Sequence, residues 1–548
     1  MRNSLAFLGL LGASALLPSC AAATRGDGRG AGGSIRAERI GAHVAFLADD
    51  LLEGRGPGTR GGALAIRYLE AQARLAGLEP GAADGSYLQA VPLRGVETQA
   101  SSTLSLDAGA TPLRWLEDFV ATDETGSERT EIDAPVVFVG YGISAPEFGW
   151  DDYAGVDVRG KVVLMYTNEP GRGGATPEDP ALFGGRALTY FGRWTYKYEE
   201  AARRGAKGAI LIHTEDTAGY NWNVVRNSWG RERPFPADAS QALPCAAWAR
   251  EDVVRSALAR TGHPLEELKA RAERRGFRAV ETGLQARVRL SAKTRSIETY
   301  NVLAKLRGSQ RPEEAVVLTA HHDHLGVGSP ENGDAIYNGA VDNGTGCATV
   351  LELAHALAAG PRPKRSVLFA WVAAEEGGLR GSEHFARDPT FPPGKIVANL
   401  NLDGLPVVGE PSNLAPLGYR RSTLKETVER AAAAMDLGLV EERNPEQGYF
   451  FRSDHFNFAK IGVPAISIGA GGLYRGEDPA ASKAREEDYR ARRYHRPDDE
   501  YDPSWDFRGC VVLGEFTLRC AQELANGSGW PAFIDGDEFQ RAQPARRP

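Results

Sequence analysis

From Asn301 onward the chain alternates short, nearly unbroken apolar runs with helical stretches, and that pattern leaves few folds open. The runs are Asn301–Leu306, Ala315–Thr319, Ser366–Val372, Ile396–Leu402 and Ala465–Ile468. Strands that are apolar on both faces must be covered on both faces. Intervening helices supply that cover, notably Cys347–Leu357, where Val350, Leu351, Ala354 and Leu357 share a side. The expected class is therefore α/β, a sheet sandwiched between helical layers.

Upstream the pattern is different. Ile35 to about Gly77 reads as helical, with Ile40, Val44 and Leu47 at helical spacing. Leu64, Tyr68, Leu69 and Leu75 continue that spacing after a glycine-rich break at Gly54–Gly62. Between about 115 and 290, β-branched runs at Pro135–Gly140 and Lys161–Tyr166, a helical Tyr198–Arg204 and the run Gly208–His213 mark an inserted β-rich block. The expected division is 1–20 leader, 21–34 tether, 35–115 first part of the main domain, 116–290 insert, 291–526 main core and 527–548 an irregular tail.

Arg2 precedes an uncharged apolar run, Leu5–Leu17. It is too short to cross a hydrocarbon core of about 30 Å as a helix, so it reads as a signal-peptide core. It ends at Leu17-Pro18-Ser19-Cys20, which resembles a bacterial lipobox, although Pro18 is unusual there. The chain is expected to be exported, either as a periplasmic or outer-membrane lipoprotein anchored through Cys20 or as a secreted protein. No later segment reads as a membrane span.

Formal net charge is −8, without a clustered cationic face, which excludes a nucleic-acid partner. Apart from Cys20, the cysteines are Cys245, Cys347, Cys510 and Cys520, none in a C-x-x-C pair. A disulfide is permitted by the compartment but not required by the spacing. Any metal site must rest on histidines and carboxylates.

Such residues sit at or just after the ends of the apolar runs, where sites gather in open α/β sheets. The first cluster is Thr319-Ala320-His321-His322-Asp323-His324-Leu325-Gly326. Strand alternation puts His321 and Asp323 on one side, so Asp323 is expected to hold the second ring nitrogen of His321, with His322 and His324 left as packing or wall groups. Asn338 to Gly346 carries Asp342 in a glycine-rich turn, and its two oxygens suit it to bridge two cations. Glu375 and Glu376 follow the third run: one acid for a metal, its neighbour free to act as general base. Asp403 and the loop Tyr494-His495-Arg496-Pro497-Asp498-Asp499 complete the set.

Taken in order, these clusters resemble metallopeptidase family 28, the dinuclear-zinc aminopeptidases. The likeness extends to Leu47–Pro80 and to Arg452-Ser453-Asp454-His455. It implies an α/β/α sandwich with a mixed central sheet and two Zn2+. His321 and Asp403 would hold one ion, Glu376 and His495 the other, and Asp342 would bridge. Glu375 would be the general base and Asp323 its supporting acid behind His321, with a cis peptide at Asn343. The implied activity is release of N-terminal residues from peptides, with a carboxypeptidase or a non-catalytic binding protein of the same shape as alternatives. Gly140-Tyr141-Gly142-Ile143 and Tyr153–Val163 make the insert resemble a protease-associated domain. Tyr449, Phe450, Phe451 and Phe456 are candidates for either an apolar pocket or core.

Overall fold

The computed structural model describes residues 35–107, 112–171, 182–183, 185, 187–238 and 242–544. The expected leader with Cys20 and the tether 21–34 lie outside these. The strands that matter here are β1 (Leu88–Thr98), β2 (Thr103–Leu106), β3 (Phe119–Thr122), β4 (Arg129–Phe138), β5 (Val162–Tyr166), β6 (Gly208–His213) and β7 (Arg233–Pro236). They continue with β8 (Ala246–Arg250), β9 (Val280–Leu306), β10 (Arg311–His321), β11 (Arg365–Val372), β12 (Ile396–Leu402) and β13 (Ala465–Ile468). All five apolar runs of the sequence are strands.

The first sheet runs β13-β12-β10-β11-β9-β1-β7. β10 to β13 are mutually parallel where they pair, whereas β9, β1 and β7 join antiparallel, so the sheet is mixed. Along β11, Val367, Phe369 and Trp371 enter one core while Leu368, Ala370 and Val372 enter the other. Period-two alternation with both faces apolar is the physical content of the unbroken run. Helices α1 (Ala37–Leu47), α2 (Arg60–Leu75), α3 (Trp194–Arg203), α4 (Gly346–Ala359) and α5 (Arg508–Asn526) are the longer ones used below. α1, α4 and α5 contribute Ile40, Val44, Leu351 and Leu513 to the core that holds Phe369 and Trp371. Phe385 and Phe458 close the opposite face.

A second sheet runs β9-β4-β5-β6-β8-β3, with β2 on the other edge of β9. β4, β5, β6 and β8 are parallel neighbours, and α3 packs on β6. β9 belongs to both sheets: residues 280–291 pair with β4 and β2, and 292–306 with β1 and β11. The sheet therefore draws in β2, ahead of residue 116. A change of composition marks where local pattern shifts, whereas strand pairing is non-local.

Two segments along the chain show packing that local pattern does not carry. On α2 the buried residues are Ala65, Ile66, Leu69 and Ala73, while Leu64 and Leu75 are 40% and 74% exposed. The helix packs on the preceding 50–55 turn so closely that a Cβ on Gly61 would stand 1.6 Å from the Leu52 carbonyl oxygen. Glycine admits that approach in the first turn, and further along the helix Ile66 and Leu69 fill the core while Leu64 and Leu75 face outward. Residues 527–544 are irregular and pack on the main unit. Phe533 and Phe539 are buried with Phe450, Phe451 and Phe456. That cluster is core rather than an open pocket, with Tyr449 half-buried beside it.

The four described cysteines are buried and free. Among the described residues no helix is long and apolar enough to cross a membrane.

Candidate metal centre

Parallel strands in register bring distant residues to one edge. His321, the last residue of β10, pairs with Val372, the last of β11, and Thr319 pairs with Asn401 on β12. Glu375, Glu376 and Asp403 therefore emerge beside His321. Asp342 comes from the turn ahead of α4, and His495 from a loop where it adopts a left-handed φ of 57°.

The two carboxylate oxygens of Asp342 face different partners. Oδ1 lies 3.1 Å from His321 Nε2, which is 3.3 Å from Asp403 Oδ1. Oδ2 lies 3.3 Å from His495 Nε2, which is 3.1 Å from Glu376 Oε2. Glu375 joins the first group, having a donor atom within 4.8 Å of those of His321 and Asp403. His324, Asp342 and Glu376 form a second group within the same limit. All five expected metal residues and the expected base thus meet at one place. Donors bound to one zinc at about 2.0–2.2 Å stand roughly 3 Å apart, so the spacing suits cations on either side of Asp342.

Asp323 behaves differently from its expected part. Its carboxylate is 3.8 Å from His321 Nδ1, which lies nearer the Asp323 carbonyl oxygen at 3.2 Å. The carboxylate instead accepts the backbone N–H groups of Glu375 at 3.0 Å and Glu376 at 3.4 Å, fixing the acidic turn. β10 ends at His321, so alternation no longer governs the residues that follow. His322 packs with Nε2 2.9 Å from the Tyr300 carbonyl oxygen. His324, read as a packing or wall group, has Nδ1 2.7 Å from Glu376 Oε1.

Several further residues support the site. Asp499 accepts the N–H groups of Val341 and Asp342, both at 3.1 Å. Its position four residues after His495 in the same acidic loop is the only signal it offered. Asn343, which follows a cis peptide bond after Asp342, donates to the Leu402 carbonyl at 2.9 Å and accepts from Gly346 and Gly404. Ser453 donates to Asp403 Oδ2 at 2.6 Å. Buried Arg55, from the Leu-Glu-Gly-Arg segment, donates to the carbonyls of Leu47, His322, Asn338 and Gly339. It ties the early segment to both loops beneath the site. Pro234 of β7 backs the acidic turn: a Cβ on Gly377 would lie 2.1 Å from its Cγ, and Arg380 donates to its carbonyl.

Burial works against every charge here, and the partners decide the outcome. It would lower His321, but Asp403 and Glu375 outweigh it and hold the imidazole well above its ordinary value. His495 is likewise pushed up to about 10, against burial, by Glu376 and Asp342. Asp342 is held far below the usual carboxylate range, against burial, by hydrogen bonds from His321 and His495. Glu375 is raised well above it, by burial first and by Asp403 and Glu376, with His321 opposing. Protons on imidazoles are what balance these acids; divalent cations bound by deprotonated donors do so without them.

Residues 301–509 match the family model for Peptidase family M28. That segment is similar to M28 metallopeptidases over less than half of the chain. An aminopeptidase of Pseudomonas aeruginosa is 29% identical over 353 residues, 61% of this chain and 56% of that protein. Leupeptin-inactivating enzyme 1 of Streptomyces exfoliatus is 31% identical over 188 residues, 34% and 38% of the two chains. A probable lipoprotein aminopeptidase, LpqL, of Mycobacterium tuberculosis is 28% identical over 279 residues, 47% and 52%. The chain thus spans about half or less of the length of these relatives. The fold is shared with the aminopeptidase from Aneurinibacillus sp. strain AM-1, at a TM-score of 0.51 and 19% identity, over 94% of this chain and 98% of that one.

Proposed function

We propose that this protein is a zinc-dependent aminopeptidase that releases N-terminal residues from peptides. The observation that carries the reading is the divided Asp342 carboxylate, one oxygen toward His321 and the other toward His495. In this reading His321 and Asp403 would hold one zinc ion, Glu376 and His495 would hold the other, and Asp342 would contribute to each. When bound, zinc acts as a Lewis acid on the scissile carbonyl and makes water a competent nucleophile near neutral pH. Glu375, on the turn fixed by Asp323, takes a proton from the attacking water and hands it to the leaving amine nitrogen. Ser453 and Asp499 orient Asp403 and the Asp342 turn. The names of the Pseudomonas and Mycobacterium relatives support the same activity.

The test is a set of aminoacyl p-nitroanilides with free and acetylated α-amines, beside peptides with free and amidated carboxyl termini. Cleavage confined to free amines, lost with a chelator and restored by zinc, is the expected result. Cleavage that instead requires the free carboxyl terminus identifies a carboxypeptidase, and no hydrolysis with zinc bound identifies a binding protein.

The unit around the second sheet is proposed to be a protease-associated domain that limits which peptides reach the site, a reading supported by its contact with the main unit, where Glu199 of α3 pairs with Lys460 at 3.1 Å. Lengthening the peptide should reduce kcat/KM if it does. Export with a lipid on Cys20 is proposed from the Leu17-Pro18-Ser19-Cys20 segment. A Cys20→Ala chain should then leave the membrane fraction.

A further inference from the structure

His324 is wholly buried, and neither of its ring nitrogens has a hydrogen-bond partner; Glu376 Oε1 has none either. An orphaned buried imidazole is costly, and two such atoms facing each other need a reason. Nδ1 and Oε1 are 2.7 Å apart yet share no hydrogen bond, so the oxygen lies off the ring's N–H direction. A proton held between them would put it on that line. Two donor atoms aimed at one cation, by contrast, are close without pointing at each other. The same group contains Asp342, and His495 stands across it with ring centroids 5.8 Å apart.

We propose that His324 is a further protein donor to the cation held by Glu376 and His495, which makes the two metal positions unequal. The inference rests on the zinc reading above and sharpens it. One position has four protein donors, His324, Asp342, Glu376 and His495. The other has three, His321, Asp342 and Asp403, and keeps an open place. Zinc sites with four protein donors are closed, whereas those with three leave room for a reactant. The substrate therefore engages the cation on the His321–Asp403 side, and the four-donor position is the tighter one.

The test uses the full chain loaded with zinc. X-ray absorption at the zinc edge counts imidazoles: about 1.5 per ion if three histidines serve two ions, and about 1 if only His321 and His495 do. Titration with a competing chelator should release zinc in two phases differing at least tenfold in affinity. In His324→Ala and His324→Gln the tighter phase should weaken at least tenfold and approach the other, with far-ultraviolet circular dichroism unchanged. A wild-type count near one imidazole per ion overturns the proposal, as does a variant that keeps both affinities. If a variant fails to fold, the wild-type count decides alone. A protein that takes up no zinc at all overturns the metallopeptidase reading itself, a different result from either.

Discussion

The two sheets share strand β9 and are both enclosed by apolar cores, yet they treat buried carboxylates in opposite ways. In the second sheet's unit Asp152 accepts the N–H groups of Tyr141 and Ile143 and the indole N–H of Trp150, at 3.1, 3.0 and 2.7 Å. Lys197, buried nearby, donates to the Asn168 carbonyl at 2.9 Å. These groups are hydrogen-bonded and serve the fold. At the end of the first sheet, Asp342, Glu375, Glu376 and Asp403 crowd together, and buried atoms of His324, Glu376 and Asp454 have no hydrogen-bond partner. Fully satisfied buried polar groups specify structure; unsatisfied donor atoms converging on one another ask for a ligand.

The contrast is broken or sharpened most strongly at Glu375. Glu375→Gln should cut kcat by about a thousandfold or more while zinc content stays at the wild-type level, as measured by elemental analysis. Activity within tenfold of wild type would remove the base from the proposed site. Gly377→Ala comes next, because its methyl group meets Pro234 and shifts the acidic turn. A displacement on the order of 1 Å at such a turn costs about 100-fold in kcat/KM, and adding Pro234→Gly should recover much of it. No recovery would mean that β7 does not support the turn.

Asp152→Asn belongs to the other region and should behave in the opposite manner. It exchanges an oxygen acceptor for a donor facing N–H groups, so stability should fall by about 1–3 kcal/mol in denaturant unfolding. The turnover of the folded fraction should remain within about twofold. A large loss of turnover would show that the two units are coupled at the site.

The smallest effect concerns pH. Burial lowers His455 from 6.5 to about 3, with Arg421 adding to the effect. Below 6.5 the unfolded chain takes up a proton that the folded chain refuses, so the stability it contributes above 6.5 drains away toward pH 3. His455→Gln should flatten the slope of unfolding free energy against pH across that window. An unchanged slope would assign the acid sensitivity to other groups.

Much of this was legible in the residues themselves. The runs at 301–306, 315–319, 366–372, 396–402 and 465–468 became strands because their burial is two-sided and needs no long-range information to recognise. The acids and imidazoles at their ends were legible for the same reason. His324 was not, since alternation was applied past the end of β10 at His321, where the chain had already left the sheet. On α2 the spacing of Leu64, Tyr68, Leu69 and Leu75 announced a helix, but the close backbone approach at Gly61 is invisible to hydrophobic spacing. Phe533 and Phe539 sit in a polar, proline-containing tail, and only their distant partners Phe450 and Phe456 make them core.

The sequence by itself determined the strand and helix order, and which side chains were chemically fit to hold a cation. Both are local properties, set by apolar periodicity and by the donor atoms each residue carries. Tertiary structure alone decided that Asp342 divides its oxygens between two partners, that Asp323 serves the acidic turn, and that Pro234 stands behind it. Those depend on strand register and loop closure to within about an ångström, a scale at which residues far apart in the chain set each other's positions.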